Sequence, residues 1–200
     1  MVIIRGTVFF IFLALFFIIS IIKQNPKPIE QNIYHLIKLN NYAKPISSWA
    51  GPFKCVKDTK TSLIWEVKSY DETLLDTKCS YSWFDGNLGY KYGGSCFTKT
   101  TKSNTKDIVD YANKTKLCGF DNWRLPTTKE LKTILFRDPL PGDPMVEIEF
   151  FPQTQKDLYW TSDIDKNTKQ IRCVNFLNAQ IQALSSDNVA RVRLVNSGNK

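Results

Sequence analysis

The stretch 117–131 constrains the fold of this chain more than any other, because it combines a helix stop, an aromatic–basic pair and a helix start. Thr127 followed by Glu130 matches a capping box. In this motif the threonine hydroxyl accepts a hydrogen bond from the Glu130 backbone N–H, and the carboxylate accepts one from the Thr127 N–H. We therefore expect a helix to begin at Thr128. It must end by about Arg137, because two prolines follow.

A second helix is predicted immediately upstream of this stretch. Ser103 or Asn104 offers its N-cap, and Gly119 offers its C-cap. Its one-sided stripe follows helical spacing and consists of Ile108, Tyr111, Ala112 and Thr115. Two short helices should therefore flank a tight corner at residues 120–127.

That corner carries a family resemblance. It contains a run of five residues followed by a glutamate: Trp123, Arg124, Leu125, Pro126, Thr127 and Glu130. This pattern resembles the core motif of the Lcl C-terminal domain family of bacteria. Further pieces that resemble the family occur in the family's order, at residues 55–66, 81–84, 151–152, 159–162, 174–176 and 192–195. The resemblance covers a domain at residues 55–196.

The resemblance implies an α+β domain of the C-type-lectin-like fold, with two short helices and short antiparallel strands. It also implies recognition, because the family includes an adhesin domain that binds sulfated glycosaminoglycans. The corner is similar to formylglycine-generating enzymes over only a few residues. Those enzymes would need a reactive cysteine pair near the C-terminus, where this chain has only Cys173.

The N-terminal residues predict a transmembrane helix. Residues 6–22 are apolar or small apart from Thr7 and Ser20, with basic residues on both sides. This length is the lower limit for spanning a bilayer and slightly long for the core of a signal peptide. Because no small-residue cleavage site follows, we expect residues 1–22 to be an uncleaved signal anchor rather than a removed signal peptide.

Five cysteines predict disulfide bonds in an oxidising compartment, since no Cys-x-x-Cys pair suggests zinc. They are Cys55, Cys79, Cys96, Cys118 and Cys173. We expect a bridge between Cys96 and Cys118, which would join the loop before the first helix to the end of that helix. One cysteine must stay free or pair with another chain.

Residues 23–54 are interpreted as a tether between the anchor and the domain. Proline-containing joints bound a segment that is predicted to form one short amphipathic helix. The apolar residues at helical spacing are Ile29, Ile33, Leu36 and Ile37. Such a helix could lie on the membrane, pair with a copy of itself, or dock on its own domain. His35, the only histidine, lies here, which disfavours histidine-based catalysis and metal binding.

The net charge of +8 suggests an anionic partner, although much of it lies outside the domain. Residues 1–54 carry six basic residues against Glu30, a net charge of +5, which leaves +3 for the rest. Grouped cations such as Lys166, Lys169 and Arg172 could bind sulfate, phosphate or carboxylate groups. The alternative is a solvated basic surface. Nucleic acid is not expected, because no groove-reading motif is present.

The glycine-rich tract 84–94 is a second candidate for ligand contact. It places Tyr90 and Tyr92 among glycine, asparagine and aspartate, a composition typical of exposed recognition loops. The tryptophans of the family-like pieces, by contrast, are expected to pack in the core: Trp65, Trp83, Trp123 and Trp160.

Little in the sequence supports catalysis or metal binding. Glu130 is explained by the capping box. Asp163 and Asp165 resemble the start of a calcium loop, but Val174 stands where a bidentate glutamate belongs, which leaves only a looser calcium site open. The chain also lacks the Glu-Pro-Asn and Gln-Pro-Asp triplets of calcium-dependent lectins. We predict no catalytic residue, no cofactor and no metal.

These observations predict a non-enzymatic recognition domain held by a single span in a bacterial inner membrane, with the domain in the periplasm or at the cell surface. The expected ligand is a polyanionic or sulfated glycan. The alternative is a structural or protein-binding subunit of an envelope complex, which would use the loops at 86–94 and 163–168 for contact.

Overall fold

The computed structural model describes residues 35–98 and 101–198, which form an α+β domain with antiparallel sheets. The largest sheet has the strand order β1-β2-β3-β9. These strands span Leu36–Leu39, Cys55–Asp58, Ile64–Glu66 and Val195–Asn196. Trp65 of β3 lies opposite Val195 of β9, so strands distant in sequence are neighbours in one sheet.

A three-stranded meander, β5-β6-β7, and a two-stranded ribbon, β4-β8, complete the described sheets. The strands are β4, Tyr81–Ser82; β5, Leu158–Ile164; β6, Ile171–Asn175; β7, Ile181–Leu184; and β8, Val189–Ala190. The Trp160 backbone N–H donates to the Arg191 carbonyl at 2.9 Å, which joins the meander to the chain just after the ribbon. β5 changes register against β6 between Trp160 and Ile164.

The first predicted helix is present as α1, Thr105–Lys114, and Asn104 is its N-cap. It ends earlier than predicted. Lys116 adopts a left-handed conformation with φ 49°, so Leu117–Gly119 forms a separate 3₁₀ turn. Gly119 does have a positive φ of 79°, but it closes that turn and does not cap α1.

The second predicted helix is α2, Thr128–Leu131, and the predicted capping box is confirmed in both directions. α2 is shorter than the sequence allows. A 3₁₀ turn, Lys132–Ile134, follows it, and Leu135 is extended. Leu135 forms an isolated antiparallel bridge with Val146, so pairing with a distant segment draws the chain out of the helix before the prolines do.

The structure corrects the tether prediction where it describes the tether. Leu36 and Ile37, expected in an amphipathic helix, lie in β1 opposite Asp58 and Lys57. Pairing with β2 satisfies their backbone groups, and local apolar spacing cannot reveal a partner twenty residues away. The other two stripe residues and the predicted anchor lie outside the described residues.

The part of the chain that the structure describes contains no helix of the length and hydropathy that a bilayer crossing requires. The transmembrane prediction concerns residues 1–22, which are not among those described.

The four tryptophans expected in the core are all buried, with exposed fractions between 0 and 3%. Three of their indole N–H groups donate to backbone carbonyls. Trp83 donates to Thr161 at 2.9 Å, and Trp160 donates to Tyr81 at 2.7 Å. These bonds fix the ribbon against the meander, because each joins a residue at β4 to a residue of β5.

A buried charge cluster lies beneath the four-stranded sheet's last two strands. Glu66 is 0% exposed and its carboxylate lies 2.7 Å from the Lys68 ammonium, which is also buried. The Arg193 guanidinium donates to the Glu66 carbonyl at 2.8 Å, and its carbon lies 4.9 Å from the centre of the Phe151 ring. Burial lowers the pKa of Lys68. The Leu194 N–H donates to the Glu66 carboxylate at 2.9 Å and the Glu66 N–H donates to the Leu194 carbonyl at 3.1 Å, so Glu66 joins β3 to the residue before β9.

Two disulfide bonds are present, but the predicted pairing of Cys96 with Cys118 is wrong. Cys118 bonds to Cys55, which joins the 3₁₀ turn after α1 to the first residue of β2. Cys96 bonds to Cys79, because the Ser95 N–H donates to the Ser80 carbonyl at 2.9 Å and brings the two segments together. Cys173 is the remaining thiol and is buried.

Candidate functional site

The corner after α1 is held from two sides by main-chain bonds. Arg124 exchanges two backbone hydrogen bonds with Val195, both 3.0 Å long. The Pro126 carbonyl accepts from the Ser162 N–H of β5 at 2.8 Å. The corner therefore joins the last strand of the large sheet to the meander, and it forms one wall of the cleft described below.

Trp123 locks the corner to the preceding helix. Its indole N–H donates to the Leu117 carbonyl at 3.1 Å. Its backbone N–H donates to the Asn113 side-chain oxygen at 2.6 Å, and its carbonyl accepts from the amide nitrogen of the same side chain at 3.0 Å. Trp123 is 2% exposed, which makes its role one of packing and positioning.

Glu130 is bound more tightly than a capping box alone requires. Its carboxylate accepts from the Thr127 N–H at 2.8 Å and from both terminal nitrogens of Arg124 at 2.9 and 2.7 Å. The Arg124 hydrogen bonds are the main cause that lowers the pKa of Glu130 to about 2. The same pairing raises the pKa of Arg124. A carboxylate held in this way is a poor proton carrier at neutral pH.

A cleft of about 550 Å³ lies between the corner, α1, the start of the glycine-rich tract and β5. Its walls are mainly apolar, with hydroxyl groups and two cations at the edge. It is lined by Trp83, Phe84, Asp85, Thr105, Lys106, Val109, Arg124, Leu125, Thr127, Ser162 and Ile164. The cleft is thus built from four separate segments of the chain.

Both cations of the cleft already have carboxylate partners. The Lys106 ammonium lies 2.7 Å from the Asp110 carboxylate, one helical turn further along α1. Arg124 is paired with Glu130, and its guanidinium is 41% exposed. The Lys106–Asp110 pair is exposed and therefore weak, whereas the Arg124–Glu130 pair is bidentate. An anionic ligand could therefore compete for Lys106 more readily than for Arg124.

The glycine-rich tract leaves one side of the cleft and presents Tyr90 and Tyr92, which are 45% and 57% exposed. The backbone of this tract is tied down. The Tyr90 N–H donates to the Trp83 carbonyl at 2.8 Å, and the Asn104 side chain donates to the Lys91 carbonyl at 3.0 Å. The predicted recognition loop is therefore a hydrogen-bonded structure with exposed tyrosine side chains.

The three cations predicted to bind ligand belong to the β5–β6 hairpin, which continues from the cleft-lining residues Ser162 and Ile164. Lys166 and Lys169 lie in the turn and Arg172 in β6, and all are exposed. The Asp165 carboxylate shapes the turn, because it accepts from the N–H groups of Asn167 and Thr168 at 2.9 and 3.0 Å. The segments that carry the two predicted groups continue from cleft-lining residues, the tract from Asp85 and the hairpin from Ile164, but none of the five predicted residues lines the cleft itself.

Two further cations lie beside this hairpin and were missed from the sequence. Lys129 and Lys132 are exposed residues of α2 and the turn after it. α2 packs on β5 and β6, and the Thr128 N–H donates to the Asp163 carboxylate at 2.8 Å. Within the described residues, none of the five cations on α2 and the hairpin makes an ion pair. We call these five residues the basic face.

The aspartates that resemble a calcium loop have other roles. Asp163 accepts the α2 N–H, and Asp165 forms the hairpin turn. Those backbone bonds lower the pKa of Asp165. Across residues 35–98 and 101–198, no group of three or more acidic, histidine or cysteine side chains is arranged to hold a metal ion.

The remaining thiol, Cys173, is 0% exposed in the middle of the meander. Burial raises its pKa to about 12, so it stays protonated at neutral pH. A buried protonated thiol can neither attack a substrate nor reach a second chain.

The structure is that of a small α+β domain with two disulfide bonds and a hydrogen-bonded helix–corner–helix segment. The sequence profile of the Lcl C-terminal domain matches residues 54–196. The chain belongs to this family, as the motif at the corner indicates. A comparison with curated proteins found no match for this chain.

Proposed function

We propose that this chain is a non-enzymatic recognition protein of the bacterial envelope whose basic face binds a polyanionic or sulfated glycan. The observation that carries the proposal is the basic face itself: five exposed cations on α2 and the β5–β6 hairpin, without ion-pair partners among the described residues. Five exposed cations outnumber the Asp163 and Asp165 carboxylates of the same hairpin, and the net positive surface attracts sulfate or carboxylate groups spaced along a polymer.

The cleft and the exposed tyrosines extend this surface. β5 leads from Ser162 and Ile164 in the cleft directly into the hairpin turn. Tyr90 and Tyr92 follow the segment that lines the opposite wall. Sugar rings present apolar C–H faces to aromatic rings and hydroxyl groups to polar side chains. A glycan chain on the basic face could therefore place a ring against the cleft or the tyrosines.

The fold supports membership of the C-type-lectin-like class, as the family resemblance implies. In favour of this assignment, β3 pairs with β9, so the last strand returns to the sheet in which the domain begins. Two disulfide bonds and the two short helices are consistent with it. We propose this fold class on these grounds.

The envelope location rests on sequence and on the disulfide bonds. Residues 6–22 are apolar, and we propose that they anchor the chain in the inner membrane with the domain on the oxidising side. Two bonded cysteine pairs favour that side, since cytosolic thiols are kept reduced. A role as a subunit of an envelope complex is the alternative proposal.

Three observations support a non-enzymatic role. Cys173 is buried and protonated, so it is a poor nucleophile. Glu130 is ionised and bonded to Arg124, so it is a poor general acid or base. His35 lies beside Asp58, with 3.9 Å between Nε2 and the carboxylate, on the four-stranded sheet and not among the residues that line the cleft.

The test is binding of the oxidised full-length chain, in non-ionic detergent, to heparin and to a panel of neutral and anionic glycans. We expect heparin affinity to fall at least about tenfold between 50 and 500 mM NaCl. The triple variant Lys166→Ala, Lys169→Ala, Arg172→Ala should lose most of this binding. A triple variant of exposed lysines elsewhere, Lys44→Ala, Lys57→Ala, Lys60→Ala, removes the same charge and should retain it.

Equal loss in the two triple variants would mean attraction by net charge alone and would contradict a specific basic face. No binding at either salt concentration would reject the glycan ligand. The envelope-complex alternative would then be tested by cross-linking in whole cells, with the probe placed at Tyr92 or Lys166.

A further inference from the structure

Trp49 is the exception among the tryptophans of this chain. It is 87% exposed, whereas the other four of the five tryptophans are between 0 and 3% exposed. Tyr42, seven residues earlier, is 76% exposed. Both lie in the segment 40–50 between β1 and β2, which we call the aromatic loop. Tryptophan and tyrosine are the side chains enriched where proteins meet the membrane–water interface or another protein.

The aromatic loop is presented by a defined backbone. Its first part is a turn, in which the Asn40 N–H donates to the Lys44 carbonyl at 2.9 Å. The chain then runs back along β1, and the Ile46 N–H donates to the Lys38 carbonyl at 3.0 Å. A second turn is closed by the Ala50 N–H on the Ser47 carbonyl at 2.9 Å, and it carries Trp49.

The side chain of Lys38 fixes this second turn to the domain. Its ammonium donates to the Ser48 carbonyl and lies 4.8 Å from the centre of the Phe53 ring and 5.4 Å from that of Phe150. The carbonyl next to Trp49 is thus bonded to a buried lysine. The indole has no such anchor and faces solvent.

The aromatic loop carries one exposed cation, Lys44, and no aspartate or glutamate. Two of the other lysines between Glu30 and Asp58 are paired with carboxylates, Lys38 with Glu149 at 3.5 Å and Lys54 with Asp71 at 3.4 Å. Lys57 is exposed, so Lys44 and Lys57 supply the positive charge of this interval. A surface that combines exposed tryptophan and tyrosine with lysine and no carboxylate in its sequence is complementary to the headgroup region of an anionic bilayer, where indole and phenol rings are favoured.

We propose that the aromatic loop docks on the surface of an anionic lipid bilayer, with Trp49 inserted at the headgroup level. The inference rests on the membrane anchor of the proposed function and goes beyond it. Residues 23–34 separate the apolar stretch from the described domain, and these twelve residues span at most about 40 Å when fully extended. The aromatic loop begins five residues further along the chain, after β1, so the anchor keeps it within reach of the membrane. Docking would fix the orientation of the domain relative to the membrane.

The test uses the full-length chain reconstituted in phosphatidylcholine–phosphatidylglycerol vesicles, with or without brominated acyl chains that quench inserted indoles. Because Trp49 is one of five tryptophans, quenching in the wild type should exceed quenching in Trp49→Phe by about a fifth of the total emission. Replacing phosphatidylglycerol by neutral lipid should reduce this excess at least about twofold. The variant Trp49→Phe, Tyr92→Trp moves the exposed indole to the glycine-rich tract and should show no excess.

Each contrary outcome has a distinct meaning. Equal quenching of the wild type and Trp49→Phe in vesicle-bound chain overturns docking and leaves the anchor and glycan binding intact. Equal quenching of Trp49 and of the tryptophan placed at position 92 overturns docking through this loop. Trp49 could also be protected from acrylamide in water and yet not be quenched by bromine. That result would assign the loop to contact with another copy of the chain and would overturn the lipid assignment. A chain that alkaline carbonate strips from the vesicles overturns the anchor, and docking with it.

Discussion

Arg124 and Glu130 form a two-pronged ion pair, with both terminal nitrogens of the guanidinium within 2.9 Å of the carboxylate oxygens. The same carboxylate accepts the Thr127 N–H, so a single side chain closes the corner and caps α2. The arginine, threonine and glutamate of the family motif are therefore one bonded unit. Their hydrogen bonds account for these three residue types at this spacing.

The ion pair predicts unequal effects for two substitutions in the capping box. Thr127→Ala removes one hydroxyl acceptor and should lower the free energy of unfolding by about 1 kcal/mol. Glu130→Ala also leaves Arg124 without its partner and should cost about 2–3 kcal/mol. Urea unfolding measures both values, with Lys129→Ala as a control on the exposed side of α2 that should change stability by less than about 0.5 kcal/mol. Equal losses at positions 127 and 130 would contradict the ion pair's contribution.

The lowered pKa of Glu130 predicts a pH dependence. Its pKa is about 2 in the folded chain against an ordinary value of 4.5, so the unfolded chain binds the proton first as the pH falls. The stabilisation by Glu130 is therefore complete above about pH 4.5 and is lost as the pH falls towards 2. The difference in unfolding free energy between the wild type and Glu130→Gln should shrink over that range. A difference that stays constant from pH 7 to 2 would rule out the shift.

The two disulfide bonds should differ in their contribution to stability. Cys55–Cys118 closes a segment with a sequence separation of 63, and Cys79–Cys96 closes one of 17. In the chain-entropy model these closures are worth about 4 and about 3 kcal/mol. Thermal unfolding of the two double alanine variants tests the order. Peptide mapping without reductant should recover these two pairs, and a Cys96–Cys118 peptide would refute the assignment.

Cys173 should be inert in the folded chain. It is 0% exposed and its pKa is raised to about 12. Native protein at pH 8 should therefore incorporate no iodoacetamide, and protein unfolded without reductant should incorporate one equivalent. Rapid labelling of native protein, or more than one equivalent after unfolding, would contradict the burial of Cys173 or the presence of both disulfide bonds.

Gly94 is predicted to tolerate no side chain. A Cβ atom there would lie 2.1 Å from the Ser103 carbonyl oxygen and 2.7 Å from that of Ser80, and both are backbone atoms. Gly94→Ala should therefore destabilise the domain by more than about 3 kcal/mol. Gly142→Ala is the control: its φ is 95°, but no atom lies within 4 Å, so it should cost about 1–2 kcal/mol. Similar melting temperatures for the two variants would contradict the close approach at Gly94.

The elements that could be predicted from the sequence are those whose causes are local. The caps at Asn104 and Thr127 depend on side chains within three residues, so the sequence predicts Thr127 outright and Asn104 as one of two candidates. β1 was mistaken for helix because its partner, β2, is remote in sequence. The disulfide pairing failed for the same reason, since Cys55 and Cys118 have a sequence separation of 63.

In the candidate site, too, features with local causes could be predicted and features that depend on remote segments could not. Exposure of Tyr90 and of the hairpin lysines follows from glycine and charge content, which are local properties. The neighbourhood of α2 and the hairpin depends on how α2 packs against β5, so Lys129 and Lys132 could not be assigned to the basic face from sequence. The apolar cleft is likewise invisible in the sequence, because four distant segments line it.

The bond between Cys55 and Cys118 also determines how the domain would respond to mechanical load. Tension applied through the residues before β1 would peel β1 away from β2, because the end of an antiparallel pair opens one hydrogen bond at a time. The force would then act on Cys55, the first residue of β2, and the disulfide bond would transmit it to the turn after α1. The force would bypass the 62 residues between the two cysteines, and the glycine-rich tract lies inside this bypassed segment. That tract would keep its fold while β1 yields, whereas the basic face lies beyond Cys118 and would remain in the path of the load.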